Sequence, residues 1–176
     1  MPEWTSSLVD AISTRLEPHP YWGPRLSNPP RNAVAGVIHL AVFVEPFLQF
    51  VLEGTKTIES RFSTNRCAPY QSVRAGDVLL LKRSSGPVVA IAEVSQVWFY
   101  ELDASSWTMI KLKFGPLLRI EDPEFWTQKS SACFATLMQL ERVEAIPPVS
   151  CAKRDRRGWV VLDRPTPVEQ WLTLPD

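Results

Sequence analysis

Residues 37–44 form a near-continuous apolar run rich in β-branched side chains, interrupted only by His39. Such a run predicts a strand buried on both faces. A lone histidine inside it reads as a core side chain with hydrogen-bond partners rather than as a ligand. Glu45-Pro46 then opens a short helix, since proline suits the first helical position, and Phe47, Leu48, Val51 and Leu52 share one face of it. Gly54 stands where a helix-ending glycine belongs. Strand patterns follow at 57–62, at 77–82 after the turn Arg74-Ala75-Gly76-Asp77, and at 88–100 after the turn Ser84-Ser85-Gly86-Pro87.

Helical spacing returns after Asp103, whose side chain can cap a helix over 104–114, with Gly115-Pro116 as its stop. Asp122-Pro123 predicts another short helix, through Trp126 or Lys129. Residues 133–146 alternate as a strand ended by Pro147-Pro148, and 158–162 form the last strand. Ahead of all this, Leu8, Val9, Ile12 and Leu16 lie at helical spacing behind Thr5 or Ser6 as a cap. Glu17-Pro18-His19-Pro20 ends that helix, and Pro24, Pro29 and Pro30 predict irregular chain beyond it. Trp4, Tyr21 and Trp22 predict that this arm packs on the rest. The expected organisation is an N-terminal extension at 1–36, one domain at 37–164 and a tail at 165–176 tethered by Trp171. The expected fold class is α+β: a mixed β-barrel of about six strands with short peripheral helices.

A chain of 176 residues fits a single domain, and 45% hydrophobic with 22% charged residues is ordinary globular composition. No apolar run approaches the roughly 20 residues that span a bilayer, and Met1-Pro2-Glu3-Trp4-Thr5 lacks the pattern of a secretion signal. A cytoplasmic protein without membrane contact is expected. Cys67, Cys133 and Cys151 are odd in number and far apart, and only two histidines are present. Free thiols are therefore expected, with neither a metal nor a cofactor.

Charge changes the picture more. The formal net charge is zero, with 19 bases and 19 acids. Yet Lys56, Arg61, Arg66, Arg74, Lys82 and Arg83 stand against only Glu59 and Asp77 across 54–83, a net +4. Lys153, Arg154, Arg156, Arg157 and Arg164 stand against Asp155 and Asp163 across 151–164, a net +3. If these segments fold together, the surface is polarised; otherwise they are two solvated loops.

Gly54, Lys56, Glu59 and Arg61 match the G-x-K-x-x-E-x-R signature of ASCH domains, a branch of the PUA-like superfamily, at every defined position. The signature falls between the helix after the first strand and the second strand, as in that family. Ala68-Pro69-Tyr70, Gly76-Asp77, Leu81-Lys82, Gly86-Pro87-Val88 and Lys153-Arg154-Asp155-Arg156-Arg157-Gly158-Trp159 are also similar to bacterial ASCH proteins. The resemblance spans about 37–162. It implies a small β-barrel whose cleft faces the motif, and work on RNA or nucleosides: RNA binding, ribonuclease activity, or hydrolysis of acetylcytidine. The acetylcytidine hydrolases carry a threonine nucleophile three residues after the motif lysine. Here that position is Glu59.

Glu59 and Arg61 are two apart on a strand and so project from one face. With Lys56 they bring an ammonium, a carboxylate and a guanidinium to one place. Arg and Lys can hold phosphate, and Glu can accept from an exocyclic amine or act as a base. The alternative is that Glu59 and Arg61 simply pair and shape a barrel rim. A binding module would use Lys56, Glu59 and Arg61, with Tyr70 and Trp159 as stacking surfaces and Lys82, Arg156 and Arg157 as phosphate contacts. An enzyme on RNA or an acylated nucleoside would use Lys56 and Glu59 as acid and base. RNA or a nucleoside is the expected partner, with DNA a further option. A protein-interaction domain meeting an acidic partner is the third alternative.

Overall fold

Six strands pair into one mixed sheet that curls into a half-barrel, with short helices around it. The computed structural model describes residues 3–27 and 36–163. The strands are β1 (Ile38–Phe43), β2 (Ile58–Ser63), β3 (Val78–Arg83), β4 (Val88–Glu101), β5 (Phe134–Val149) and β6 (Trp159–Asp163). They lie in the order β2-β5-β4-β3-β1-β6. Only β1 and β3 run parallel; the other neighbours are antiparallel. The helices are α1 (Glu3–Leu16), α2 (Trp22–Leu26), α3 (Phe47–Leu52), α4 (Ala104–Leu118) and α5 (Pro123–Gln128). The α+β fold expected from the strand pattern, a mixed β-barrel of about six strands with short peripheral helices, is observed as a six-stranded half-barrel.

Alternation along the central strands explains the two faces. Leu40, Val78 and Leu80 point to the side covered by Leu8, Ile12 and Leu16 of α1 and Trp22 of α2. Ala41, Phe43, Leu79 and Leu81 point the other way, onto Leu48 and Val51 of α3. Side chains of neighbouring residues point to opposite faces of a strand, so β1 and β3 carry apolar residues on both faces. A third cluster joins Ile110, Phe114 and Leu118 of α4 to Ile58, Ala135 and Leu137. The Asp103 side chain caps α4 by accepting from the Ser106 N–H, with the Ser106 hydroxyl bonding back.

Four segments depart from the sequence pattern. First, α1 begins at Glu3, ahead of the expected cap. Second, α2 forms where prolines predicted irregular chain. Pro24 falls in its first turn, where a missing N–H costs nothing, and His19 Nδ1 accepts from the Tyr21 and Trp22 N–H groups at 3.1 and 3.0 Å. Third, α4 runs through Gly115 and Pro116 to Leu118; the bond Pro116 removes belongs to the carbonyl of Leu112, a residue 77% exposed and so open to water. Fourth, β5 continues through Pro147 and Pro148 to Val149. Beyond Gln139 it has no β2 partner, so it is an edge there, and edges tolerate proline. The carbonyls of Pro147 and Pro148 accept from Arg15 Nη1 at 2.9 and 3.2 Å.

The same arm is tied down by Trp22, whose Nε1 donates to Glu144 at 3.0 Å, and by Arg25, whose Nη2 donates to the Gly76 carbonyl at 2.8 Å. Among the described residues no helix is long and apolar enough to cross a membrane. The three cysteines are free thiols. The tail and Trp171 lie outside the described residues.

Candidate functional site: the seam of the half-barrel

The chain leaves α3 through Gly54, at φ +73°, a left-handed conformation that glycine adopts without steric cost. The Phe50 carbonyl accepts from both the Thr55 and Lys56 N–H groups at 3.0 Å. That tight exit drops Lys56 into the interior, 3% exposed. Its Nζ donates to the Ile58 carbonyl at 2.7 Å and the Leu118 carbonyl at 3.1 Å, and lies 3.4 Å from Glu59 Oε2. The ammonium's three donors are thereby engaged. Burial lowers the Lys56 pKa from its ordinary 10.5, against the pull of Glu59 in the other direction.

Glu59 is buried as well and sits between two cations. Its Oε1 is 2.9 Å from Arg61 Nε. That contact is an ion pair rather than an aligned hydrogen bond, because the Nε–H has no hydrogen-bond partner. The other nitrogens of Arg61 do have partners: Nη1 donates to the Gly158 carbonyl at 3.1 Å and Nη2 to the Val42 carbonyl at 2.9 Å. The guanidinium also lies over the rings of Phe43 and Trp159, at 5.2 and 5.5 Å. Since β2 and β6 are the two edges of the sheet, Arg61 spans the open seam from one edge to the chain entering the other.

Beneath it, Trp159 Nε1 donates to His39 Nδ1 at 3.2 Å, and His39 Nε2 meets Asp77 Oδ2 at 2.9 Å. Asp77 also accepts from the Val37 and Arg74 N–H groups, each at 2.8 Å. His39 is thus a satisfied core residue, with Nε2 carrying the proton that Asp77 accepts.

A cleft of about 410 Å³ opens at this seam. Lys56, Glu59, Arg61 and Arg156 border it, together with Phe47, Phe62, Phe125, Lys129, Ser60 and Ser84. Ser60 and Phe62 have the opposite parity to Glu59 and Arg61, yet all four reach the cleft because β2 is an edge strand and presents its rim.

The other expected site residues lie elsewhere. Tyr70 is 8% exposed and packed against the rings of Phe99 and Phe134 at 5.5 and 5.0 Å. Trp159 is 6% exposed, its indole N–H spent on His39. Neither presents a free face for a base. Lys82 is buried, with Nζ donating to the Arg83 carbonyl at 3.1 Å. Arg157 is exposed and forks onto Asp155, from Nε and Nη2 at 3.1 Å each. None of these four borders the cleft. The aromatic lining comes instead from Phe47, Phe62 and Phe125, and a further cation from Lys129. Their positions depend on how α3 and α5 lie over β2, which no strand or helix periodicity reveals. Among the described residues, no group of three or more His, Cys, Asp or Glu side chains is placed to hold a metal ion.

No family model matches the sequence, and no curated protein matches it. Its structure is similar to the crystal structure of ASCH from Zymomonas mobilis, with a TM-score of 0.58 at 12% identity over 72% of this chain and 88% of that one. Two single-substitution variants of the Zymomonas protein are also similar. One gives 0.58 at 12% identity over 73% and 91% of the two chains, the other 0.52 at 13% over 64% and 72%. Identity this low speaks for the fold alone. The six-stranded order, the curl of the sheet and this structural likeness together establish that the chain carries the ASCH-domain fold, a PUA-like mixed half-barrel.

Proposed function

We propose that the seam cleft binds a base of a nucleic acid, RNA in the first instance, or a modified nucleoside. The observation that carries this reading is the pairing of an aromatic lining, Phe47, Phe62 and Phe125, with the cations Arg61, Lys129 and Arg156 in one cleft of about 410 Å³. Small-ligand sites run roughly 300–1,000 Å³, so one nucleotide unit fits. Stacking a base on an aromatic ring contributes ~1–3 kcal/mol. Likeness of fold to ASCH proteins supports the same reading.

Binding is favoured over hydrolysis by the state of the motif. Lys56 has its donors committed to two carbonyls and Glu59, and Glu59 is held between Lys56 and Arg61. Neither stands free to move a proton to or from a substrate. Fluorescence anisotropy with short single-stranded RNA and DNA, and calorimetry with nucleosides, tests the proposal on the wild type and on Phe125→Ser. The variant is expected to bind about tenfold more weakly, in line with one lost stacking surface. Unchanged affinity would sink the proposed location. Cleavage of the RNA, or release of acetate from acetylcytidine, would instead assign Lys56 and Glu59 acid and base roles.

A further inference from the structure

The cleft holds more positive charge than its own carboxylate can match. Lys56, Arg61, Lys129 and Arg156 border it against Glu59 alone, a net +3. Lys56 and Arg61 are held by that glutamate and by main-chain carbonyls. The other two are not. Arg156 makes no hydrogen bond, ion pair or ring contact among the described residues. Its neighbours Lys153 and Arg157 both pair with Asp155, at 2.8 and 3.1 Å. Among the described residues the Lys129 ammonium has only the ring of Phe125, 5.7 Å from its Nζ. The hydroxyls of Ser60 and Ser84, which also border the cleft, likewise have no hydrogen-bond partner among the described residues.

Like charges gathered in one concavity repel, and the apolar walls weaken screening by water. An arrangement of that kind is relieved by an anion. The two free cations come from different elements, Lys129 closing α5 and Arg156 in the segment entering β6. They therefore face the cleft independently of each other. The ring of Phe125, on the helix that Lys129 closes, borders the same cleft. We infer that the cleft takes its ligand as a phosphorylated nucleotide rather than as a neutral nucleoside. The phosphate meets Arg156 and Lys129, with Ser84 as a hydroxyl donor, while the base lies against Phe125 and Phe47. Arg156 supplies a planar fork for two phosphate oxygens and Lys129 a point charge. This inference rests on the reading of the cleft as a nucleotide site and narrows it to the phosphate-bearing class.

The test compares the four ribonucleoside 5′-monophosphates with their nucleosides by calorimetry, and a six-nucleotide single-stranded RNA by anisotropy. Wild type, Arg156→Ala, Lys129→Ala and the double variant are each measured. At least one monophosphate is expected to bind about tenfold or more tightly than its nucleoside, the scale of one charge-assisted contact. Each single variant removes most of that gap and leaves nucleoside affinity within about twofold, as a phosphate contact requires. Each also makes binding of the RNA strand less dependent on salt. Among the described residues the Arg156 side chain has no partner to lose and that of Lys129 only a ring face, so the melting temperature stays constant and unfolding does not confuse the result. Equal affinity for monophosphate and nucleoside overturns the inference while the base-binding reading stands, as does a gap that survives in the double variant. No binding of nucleoside, monophosphate or strand overturns both.

Discussion

Arg61 and Gly158 meet across the open seam of the sheet, Nη1 of one 3.1 Å from the carbonyl oxygen of the other. With the second bond to Val42, one side chain joins β2 to the far edge of the half-barrel. Hydrogen bonds to a charged group contribute about 1.5–3 kcal/mol. Arg61→Ala is therefore expected to lower stability by roughly that amount, read as a shift in the urea midpoint. Arg61→Lys keeps the charge but cannot reach both carbonyls, and recovers only part of the loss. An unchanged midpoint for the alanine variant would falsify this role. Any weakening of ligand binding in these variants is then partly a loss of shape.

Lys56 carries a charge at a cost the protein relieves as pH rises. Its folded-state pKa lies below 10.5 because burial disfavours the ammonium. Between that lowered value and 10.5 the unfolded chain holds the proton and the folded chain has shed it, so stability rises with pH in that window. Relative to Lys56→Met, which has nothing to titrate, the wild type should gain as the pH climbs through the alkaline range below 10.5. At neutral pH the variant should lose about 3 kcal/mol, the low end for breaking a buried pair, because Arg61 still faces Glu59. Denaturation curves for both proteins across that range check the trend, and a flat difference would dismiss it.

The indole of Trp159 acts through its N–H. Trp159→Phe keeps a ring beneath Arg61 but leaves His39 Nδ1 a buried acceptor with no donor, at a cost of about 1–3 kcal/mol. Asp77→Ala costs more, since it strips partners from His39 and from the Val37 and Arg74 N–H groups together. Thermal melts rank the two, and the opposite ranking would mean that the chain from Asp77 to Trp159 is not what holds β1, β3 and β6 in place.

Arg119 ends α4 at φ 55°, in the left-handed region that favours glycine. Its Nε is buried without a partner, although Nη2 pairs with Glu121 at 3.2 Å and the guanidinium lies 5.0 Å from the Phe50 ring centre. The ion pair is largely exposed and contributes little. Arg119→Gly should be neutral to stabilising, by up to about 1 kcal/mol. A clear loss in the melting temperature would show that the ring contact outweighs the backbone strain.

What the sequence made legible follows from the range of each interaction. β1 and β3 are readable because both of their faces are covered, which writes a near-continuous apolar run. The motif was readable because Lys56, Glu59 and Arg61 are neighbours in the chain and meet one another directly. The partners of Arg61 were not, since they are carbonyls at residues 42 and 158, and a carbonyl has no side-chain signature. Trp159 looked like a stacking surface beside its basic neighbours; its burial depends on His39, 120 positions away. Phe125 joins the cleft through α5 packing near β2, where its ring meets Phe47 and Phe62 at 5.8 and 6.1 Å. α2 carries no start signal in the sequence because a histidine side chain, not a standard capping residue, satisfies the N–H groups at its start.

The clasp at Arg61 also bears on how copies of this protein behave toward one another. β2 is an edge strand, and a bare edge is a template for pairing with another chain. Here the rim of β2 carries Glu59 and Arg61, and the guanidinium is already fastened across to Gly158 and Val42. A second molecule would have to unfasten it and strand the Glu59 charge before it could add a strand. The arrangement that shapes the cleft thus also guards the sheet against edge-to-edge aggregation.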